Sequence, residues 1–179
     1  MKTIFTIGHS NRLLAEFVAL LSGAGVKLLA DVRAYPASRR YPHFSREPLA
    51  AALKAAGIDY LWLGDSLGGH REPRADSLNT ALAPMWRGYA DHMQTPAYTA
   101  GLAQLEQRAL KQPTAIMCAE RNPPECHRNL IADSLSGHSW CVMHRIGANE
   151  SREHTPNPEA RWVDGQLCYP AGQQMQLGL

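Results

Sequence analysis

Short apolar runs alternate with amphipathic segments along most of the chain. Residues 2–7 are largely β-branched or aromatic and predict a strand that stops at Gly8. Apolar side chains then recur at helical spacing from Leu13 to Leu21, which predicts a helix with Ser10 as its N-cap. The alternation continues and predicts four further strands, at 26–32, 58–63, 114–118 and 140–146.

Between these strands the sequence predicts helices. Prolines stand near several predicted helix starts and glycines near several ends, as their backbone preferences favour. The predicted segments are 13–22, 48–56, 85–93, 95–112 and 125–135. Strands that alternate with helices are typical of a parallel sheet. We therefore expect one three-layer α/β domain over residues 1–179, with a mainly parallel five-stranded sheet and helices on both faces.

The end of the chain has a different pattern. Residues 147–179 form a polar extension that is rich in proline up to residue 160. Asp164-Gly165 then lies between two short alternating runs, which is typical of a type I′ turn. This pattern predicts a short C-terminal hairpin near 161–169.

Composition narrows the class of protein. The chain has 179 residues, 45% of them hydrophobic, and a formal net charge of +2. These values fit a chain that buries a core and exclude disordered and fibrous proteins, while the net charge alone is too small to indicate nucleic-acid binding. No membrane span or export signal is predicted. Four cysteines without an export signal favour reduced thiols and a cytoplasmic location.

Polar and reactive residues gather where the predicted strands end. They are His9 and Ser10 after the first strand, Asp31 and Arg33 with the second, Cys118 and Glu120 with the fourth, Cys126, His127 and Arg128 at the head of the next helix, and His144 at the end of the fifth strand. In open parallel sheets, ligands bind beyond the carboxyl ends of the strands. We therefore predict a functional site at this edge of the sheet.

Cys118 is the strongest candidate for a reactive side chain. It ends a strand and precedes a short loop into a helix, a layout in which backbone N–H groups and the helix dipole lower the pKa of a thiol and bind an anion. A standard cysteine phosphatase is disfavoured, because Pro124 stands where that motif needs an arginine. The alternative is that Cys118 is a small buried side chain of the core.

The spacing of Cys118, Cys126 and His127 is also relevant to metal binding. Cys-x7-Cys-His is not one of the usual zinc spacings. If Cys126 and His127 are adjacent on a helix, their side chains diverge by about 100° and could hardly serve one ion. We therefore predict neither a metal nor a cofactor.

Two further features leave alternatives open. Glu120 and Asp31 are suited to general acid–base catalysis, but each could instead pair with an arginine to hold a loop. The loop at 33–46 carries four arginines, two tyrosines, a histidine and a phenylalanine without an acidic residue. That composition favours contact with phosphates or stacked bases, although a solvated loop would have the same composition.

Several strings along the chain carry a family resemblance. They include Thr6-Ile7-Gly8-His9-Ser10-Asn11, Asp31-Val32-Arg33, Leu67-Gly68-Gly69, Met117-Cys118-Ala119-Glu120, Cys126-His127-Arg128 and Tyr169-Pro170. Together they resemble the family called domain of unknown function 488, over essentially the whole chain. The resemblance implies a single α/β domain in which these residues form a shared site, and it brings no settled reaction with it.

Two functions follow as hypotheses. In the first, the protein is an enzyme acting on a small phosphate- or carboxylate-bearing substrate through a Cys118 thiolate, with His127 or His9 as base and Glu120 as proton donor. The substrate would be bound by Ser10, Asp31, Arg33, Arg128, Cys126 and His144. In the second, the loop at 33–46 binds a nucleotide or nucleic acid, and Cys118 is structural. The number of titratable side chains at one edge favours the enzyme.

Overall fold

The computed structural model describes residues 2–172. Met1 and residues 173–179, at the two ends of the predicted domain, lie outside the described residues. The described strands are β1 (Lys2–Gly8), β2 (Leu28–Asp31), β3 (Asp59–Trp62), β4 (Thr114–Cys118), β5 (Trp140–Gly147), β6 (Glu150–Glu153), β7 (Arg161–Val163) and β8 (Gln166–Cys168). The described helices are α1 (Leu14–Gly23), α2 (Arg46–Ala55), α3 (Gly64–Leu67), α4 (Pro84–Met93), α5 (Pro96–Ala109) and α6 (Arg128–Gly137).

The sheet has six strands in the order β3-β2-β4-β1-β5-β6. The first five are the predicted strands, and they pair in parallel, so the mixed α/β fold with a mostly parallel sheet is confirmed. The sixth strand, β6, pairs antiparallel with β5 and was not predicted. All four of its side chains are exposed, so it has no apolar alternation from which the sequence could indicate it.

Helices cover both faces of the sheet. One core cluster joins α1 and α2 to the sheet through residues such as Phe17, Leu21 and Leu53. The other joins α3 to α6 to the opposite face, with Tyr89 and Leu105 among its buried members. In β1 and β4, alternate residues enter the two clusters, as the period of a strand requires. The predicted three-layer arrangement is therefore confirmed.

The beginning of the first helix differs from the prediction. Helix α1 starts at Leu14, and Leu13 rather than Ser10 is its N-cap. Ser10 instead has a φ of 51°, in the left-handed region, and its backbone N–H donates to the carbonyl of Ala119 at 2.8 Å. After β1 ends, the chain thus stays paired with the residue that follows β4, so Ser10 lies at the edge of the sheet where these strands end.

The C-terminal hairpin forms where the sequence predicts it. Strands β7 and β8 pair antiparallel, and both turn residues, Asp164 and Gly165, have positive φ, as a type I′ turn requires. Among residues 2–172, no helix is long and apolar enough to cross a membrane.

Candidate active site at the strand ends

The carboxyl ends of β1, β2 and β4 open into a cleft of about 600 Å³. Its lining comes from these strand ends, from the loop at 34–41 and from the loop after α3. The lining residues are His9, Ser10, Asn11, Arg33, Ala34, Tyr35, Ala37, Ser38, Arg40, Tyr41, Gly69, His70, Cys118, Ala119, Glu120 and His127. A second cavity of about 540 Å³ shares Gly69, His70, Glu120 and His127 with the first, so these four residues lie between the two.

Cys118 lies in the wall of the cleft beside two proton acceptors. Its Sγ is 3.0 Å from Oε2 of Glu120 and 3.8 Å from Nδ1 of His127. The other ring nitrogen of His127, Nε2, lies 2.9 Å from the carbonyl oxygen of Val32, so Nε2 carries the proton and donates it there. In the neutral ring, Nδ1 is therefore left as an acceptor that faces the sulfur.

Cys126 joins this group, as the sequence predicted for the site, but its side chain does not diverge from that of His127. Helix α6 begins at Arg128, so Cys126 and His127 precede it, and Cys126 has an extended backbone. The expected divergence of two adjacent helical side chains therefore does not apply. The Sγ atoms of Cys118 and Cys126 and a ring nitrogen of His127 lie within 4.8 Å of one another, as in a group that could hold a metal ion.

The surroundings of Cys118 keep its thiol protonated. A hydrogen bond with Cys126 and burial raise its pKa well above the ordinary value. This direction is opposite to the lowered pKa expected from the sequence, because the hydrogen bond with Cys126 and burial outweigh the opposing effect of His127. Burial also acts to raise the pKa of Glu120, but hydrogen bonds from the two thiols outweigh it and lower that pKa.

His127 is suited to receive a proton from Cys118. Burial acts to lower its pKa, but the electrostatic interaction and hydrogen bond with Cys118 and the hydrogen bond with Val32 outweigh burial and raise it. The imidazole packs against Tyr89, with 4.9 Å between ring centroids. Its position is thus fixed on both sides, by a ring contact and by a backbone carbonyl.

Asp31 and Arg33 form a buried pair beneath the cleft. Arg33 donates to both carboxylate oxygens of Asp31, at 2.9 and 2.6 Å, and Asp31 is fully buried. Tyr60 donates a further hydrogen bond to Asp31 at 2.7 Å. Burial acts to lower the pKa of Arg33, but Asp31 outweighs it and raises that pKa. Of the pair, Arg33 alone lines the cleft, where its charge is largely balanced by Asp31.

His9 and Ser10 both line the cleft, but His9 does not face Cys118. Its Nδ1 lies 2.9 Å from the carbonyl of Ser10, so Nδ1 donates there, and Nε2 faces Arg33 at 3.4 Å. Burial, with the charge of Arg33 acting in the same direction, lowers the pKa of His9 to about 4. His9 also stacks on Phe44, with 4.4 Å between ring centroids. Its uncharged imidazole forms part of the cleft wall.

Arg128 lies behind the site rather than in the cleft. Its guanidinium is buried and donates to the backbone carbonyls of Glu120 and Arg121. Because these bonds hold the loop after β4 against the start of α6, Arg128 positions Glu120. It is not among the residues that line either of the two cavities described above.

His144 belongs to a separate buried network. It lies within β5 rather than at its end, because that strand continues to Gly147. Nδ1 of His144 is 2.8 Å from the hydroxyl of Thr6, and Nε2 is 3.0 Å from Nδ1 of His154. His154 in turn contacts Asp133 at 2.8 Å. His144 does not line the cleft, so the structure does not bring it together with Cys118.

His144 should make stability depend on pH. Burial lowers its pKa to about 3, and the charges of His154, Arg128 and Arg152 act in the same direction. In the unfolded chain the pKa of His144 is near 6.5. The stability that the neutral, buried imidazole contributes is therefore complete above pH 6.5 and is lost as pH falls toward 3. Between pH 6.5 and 5, we expect a loss of about 2 kcal/mol in the free energy of unfolding, measured by chemical denaturation.

Substituting one histidine isolates this effect. Between pH 6.5 and 5, His144→Gln should reduce the slope of the free energy of unfolding against pH by the contribution of one proton. His70→Gln, at an exposed position, should leave that slope unchanged. Equal slopes in the wild type and His144→Gln would assign the acid sensitivity to other groups.

Tyr35, Arg40 and His70 line the cleft but were not among the catalytic or substrate-binding residues predicted from the sequence. Tyr35 and Arg40 are exposed members of the loop at 33–46, which the sequence assigned to the alternative nucleotide-binding function. His70 belongs to no motif that could have indicated it. It has a φ of 61° and lies 6.1 Å from Tyr35 between ring centroids. A Cβ atom on Gly69, the residue before it, would lie 3.0 Å from Nδ1 of His127.

A comparison with protein-family models identifies the family of the chain. The model described as Domain of unknown function DUF488 matches residues 13–135, most of the chain. The chain belongs to the DUF488 family. The matched range of this DUF488 protein includes the second and fourth strands of the predicted site and the segment from Cys126 to Arg128. It leaves out the string at 6–11 and His144.

The other two comparisons gave no relatives. Neither a curated protein nor a solved structure matches this DUF488 protein. Its function must therefore be argued from the geometry of the cleft.

Proposed function

We propose that this DUF488 protein is an enzyme that transfers a group from a small phosphate- or carboxylate-bearing substrate by way of the Cys118 sulfur. The observation that carries the proposal is the position of Cys118 in the cleft wall, 3.8 Å from a ring nitrogen of His127 whose other nitrogen is fixed by Val32. A thiol beside an oriented imidazole is the arrangement of nucleophilic catalysis.

The proposed step moves one proton and exchanges one bond. The sulfur forms a bond to the electrophilic carbon or phosphorus of the substrate while its proton passes to Nδ1 of His127. The leaving group departs with that proton. In the resting site the thiol donates to Oε2 of Glu120 at 3.0 Å, so its hydrogen turns from Glu120 to Nδ1 before the transfer.

The anionic group of the substrate would be bound by other side chains that line the cleft. Arg40 is exposed there, and Ser10 and Ser38 add hydroxyl groups. Arg33 contributes little free charge, because Asp31 already binds it. Arg40 is therefore the cation that we assign to the phosphate or carboxylate of the substrate.

Paired alkylating reagents test the proposal. Iodoacetate and iodoacetamide are similar in size, but only iodoacetate carries a carboxylate. We expect Cys118 to react several-fold faster with iodoacetate, because the reagent binds as a small anion, while the partly buried Cys141 shows no such preference in the same sample. Peptide mass spectrometry measures both sites, and inorganic phosphate should protect Cys118.

Two variants separate anion binding from proton transfer. Arg40→Gln should remove the preference for iodoacetate and leave the reaction with iodoacetamide unchanged. His127→Gln should slow both reactions at Cys118. A Cys118 that reacts no faster with the anionic reagent than with the neutral one, in the folded wild type, would refute the proposal.

Exposed aromatic and cationic side chains favour one second candidate. Tyr35 is 75% exposed at the cleft rim, and the guanidinium of Arg40 lies 5.5 Å from the ring of Tyr41. Such a surface could stack a base and bind its phosphate, so a nucleotide or single-stranded nucleic acid is the alternative ligand. Binding of a labelled oligonucleotide that weakens with salt and survives Cys118→Ser would favour it over the enzyme.

A further inference from the structure

Three metal-ligand atoms converge between the two cavities. The Sγ atoms of Cys118 and Cys126 each lie 3.8 Å from Nδ1 of His127, and all three atoms lie within 4.8 Å of one another. In a tetrahedral zinc site, Zn–S and Zn–N distances of about 2.3 and 2.1 Å separate sulfur from nitrogen by about 3.6 Å. The observed separations are close to this value.

We propose that Cys118, Cys126 and His127 bind one zinc-class transition-metal ion, with Glu120 as the fourth ligand. Oε2 of Glu120 lies 3.0 Å from the sulfur of Cys118, on the side of the cleft. Two thiolates and an imidazole are soft or borderline ligands, which select zinc, cobalt or copper over magnesium or calcium.

The atoms around the ligands also suit a metal. His127 donates its other N–H to the carbonyl of Val32 at 2.9 Å, the outer contact that orients most metal-binding histidines. The backbone N–H of Arg128 lies 3.4 Å from the sulfur of Cys126 and can donate to a thiolate there. His127 and Cys126 are thus held in place by groups that do not themselves bind the ion.

The position of Glu120 makes its coordination exchangeable. Cys118 and Cys126 are 4% and 2% exposed, whereas Glu120 is exposed and lines both cavities. A water molecule or a substrate oxygen entering from either cavity can replace the carboxylate without disturbing the other three ligands. Three protein ligands and one replaceable position are typical of catalytic rather than structural zinc sites.

This inference goes beyond the proposed function and does not depend on it. In the metal-bound protein the sulfur of Cys118 is a ligand, so the thiol reactivity proposed above belongs to the metal-free protein. Metal binding can be measured without any substrate or alkylating reagent, and for this reason the two proposals can fail separately.

Cobalt(II) provides the direct test. The full chain is stripped of metal by a chelator under reducing conditions and titrated with Co²⁺. We expect one Co²⁺ per chain, with the intense visible bands of a tetrahedral ion and a sulfur-to-cobalt charge-transfer band in the near ultraviolet. Zn²⁺ should displace the cobalt and abolish both. A titration of the folded wild type that shows no charge-transfer band overturns the proposal, whatever the variants do.

Matched variants assign the ligands. Loss of a group that hydrogen-bonds to a metal ligand weakens metal binding by about 10- to 100-fold, and Cys126→Ser should weaken Co²⁺ binding by more than this. Cys168→Ser removes another buried thiol and should leave Co²⁺ binding unchanged. Glu120→Gln retains three ligands, so it should keep one Co²⁺ but shift the visible bands. Binding that is lost equally in Cys168→Ser, or retained in a folded Cys126→Ser, refutes the assignment.

Discussion

Arg33→Met is expected to lower the free energy of unfolding by about 4 kcal/mol. Asp31 is fully buried, and Arg33 donates to both of its carboxylate oxygens. After the substitution, the carboxylate keeps hydrogen bonds from the hydroxyl of Tyr60 and the backbone N–H of residue 33 but has no cation beside it. A buried charge without its partner is costly because the interior cannot replace its hydration. Chemical denaturation at neutral pH measures the loss.

A second arginine provides the control for this variant. Arg74 and Asp76 are also two positions apart and form an ion pair at 3.4 Å, but their side chains are 48% and 85% exposed. Arg74→Met should change stability by no more than about 0.5 kcal/mol. Combining Arg33→Met with Asp31→Leu should recover part of the loss, because the unpaired charge is then gone. Equal losses in Arg33→Met and Arg74→Met would contradict the argument from burial.

Gly8→Ala is expected to cost about 3 kcal/mol and to displace Glu120. A Cβ atom on Gly8 would lie 1.7 Å from the backbone oxygen of Glu120 and 2.6 Å from the backbone carbon of the same residue. Because Gly8 pairs with Cys118 across β1 and β4, the strand cannot move away without breaking the sheet. The loop after β4 must shift instead, and it carries Glu120 with it.

Two measurements check this result. Chemical denaturation gives the stability, and the relative rate of Cys118 alkylation reports the position of Glu120 beside the sulfur. Gly23→Ala is the matched control, since no atom lies within 4 Å of the Cβ position at the exposed end of α1. It should leave both quantities within error of the wild type. A Gly8→Ala protein as stable as Gly23→Ala would show that the loop accommodates the methyl group.

Both variants concern the support of the site rather than its reactive atoms. The cleft is built on Gly8, Asp31 and Arg33 at the ends of two strands, and on the buried guanidinium of Arg128 behind the loop. The reactive side chains of Cys118 and His127 depend on these contacts for their separation. Substitutions in the support should therefore alter the chemistry without removing any group that takes part in it.

The parts predicted from sequence are those that local pattern controls. Continuous apolar runs predicted strands such as β2 and β4, because strands buried on both faces carry few polar side chains. Asp164-Gly165 predicted the hairpin, because its turn needs two residues that tolerate positive φ. Strand β6 was missed because its exposed side chains carry no such pattern, and it is held by pairing with β5.

The candidate site shows the same division. The rule that ligands bind beyond the carboxyl ends of parallel strands predicted that His9, Arg33, Cys118 and Glu120 share one edge of the sheet, and all four line the cleft. The rule could not separate residues that line the cleft from those that lie behind it, such as Arg128, because that depends on the path of a loop. His144 was also placed at this edge, yet it lies within its strand in a different network.

The sequence by itself determined the fold class, the family and the set of reactive residues near the strand ends, since these follow from periodicity, turn preferences and motif order. Only the tertiary structure decided that Cys126 and His127 precede helix α6 and face Cys118. It also decided the direction of the thiol pKa, which is raised rather than lowered. Both depend on the path of the chain between β4 and α6, which brings Glu120, Cys126 and His127 within a few ångströms of the sulfur.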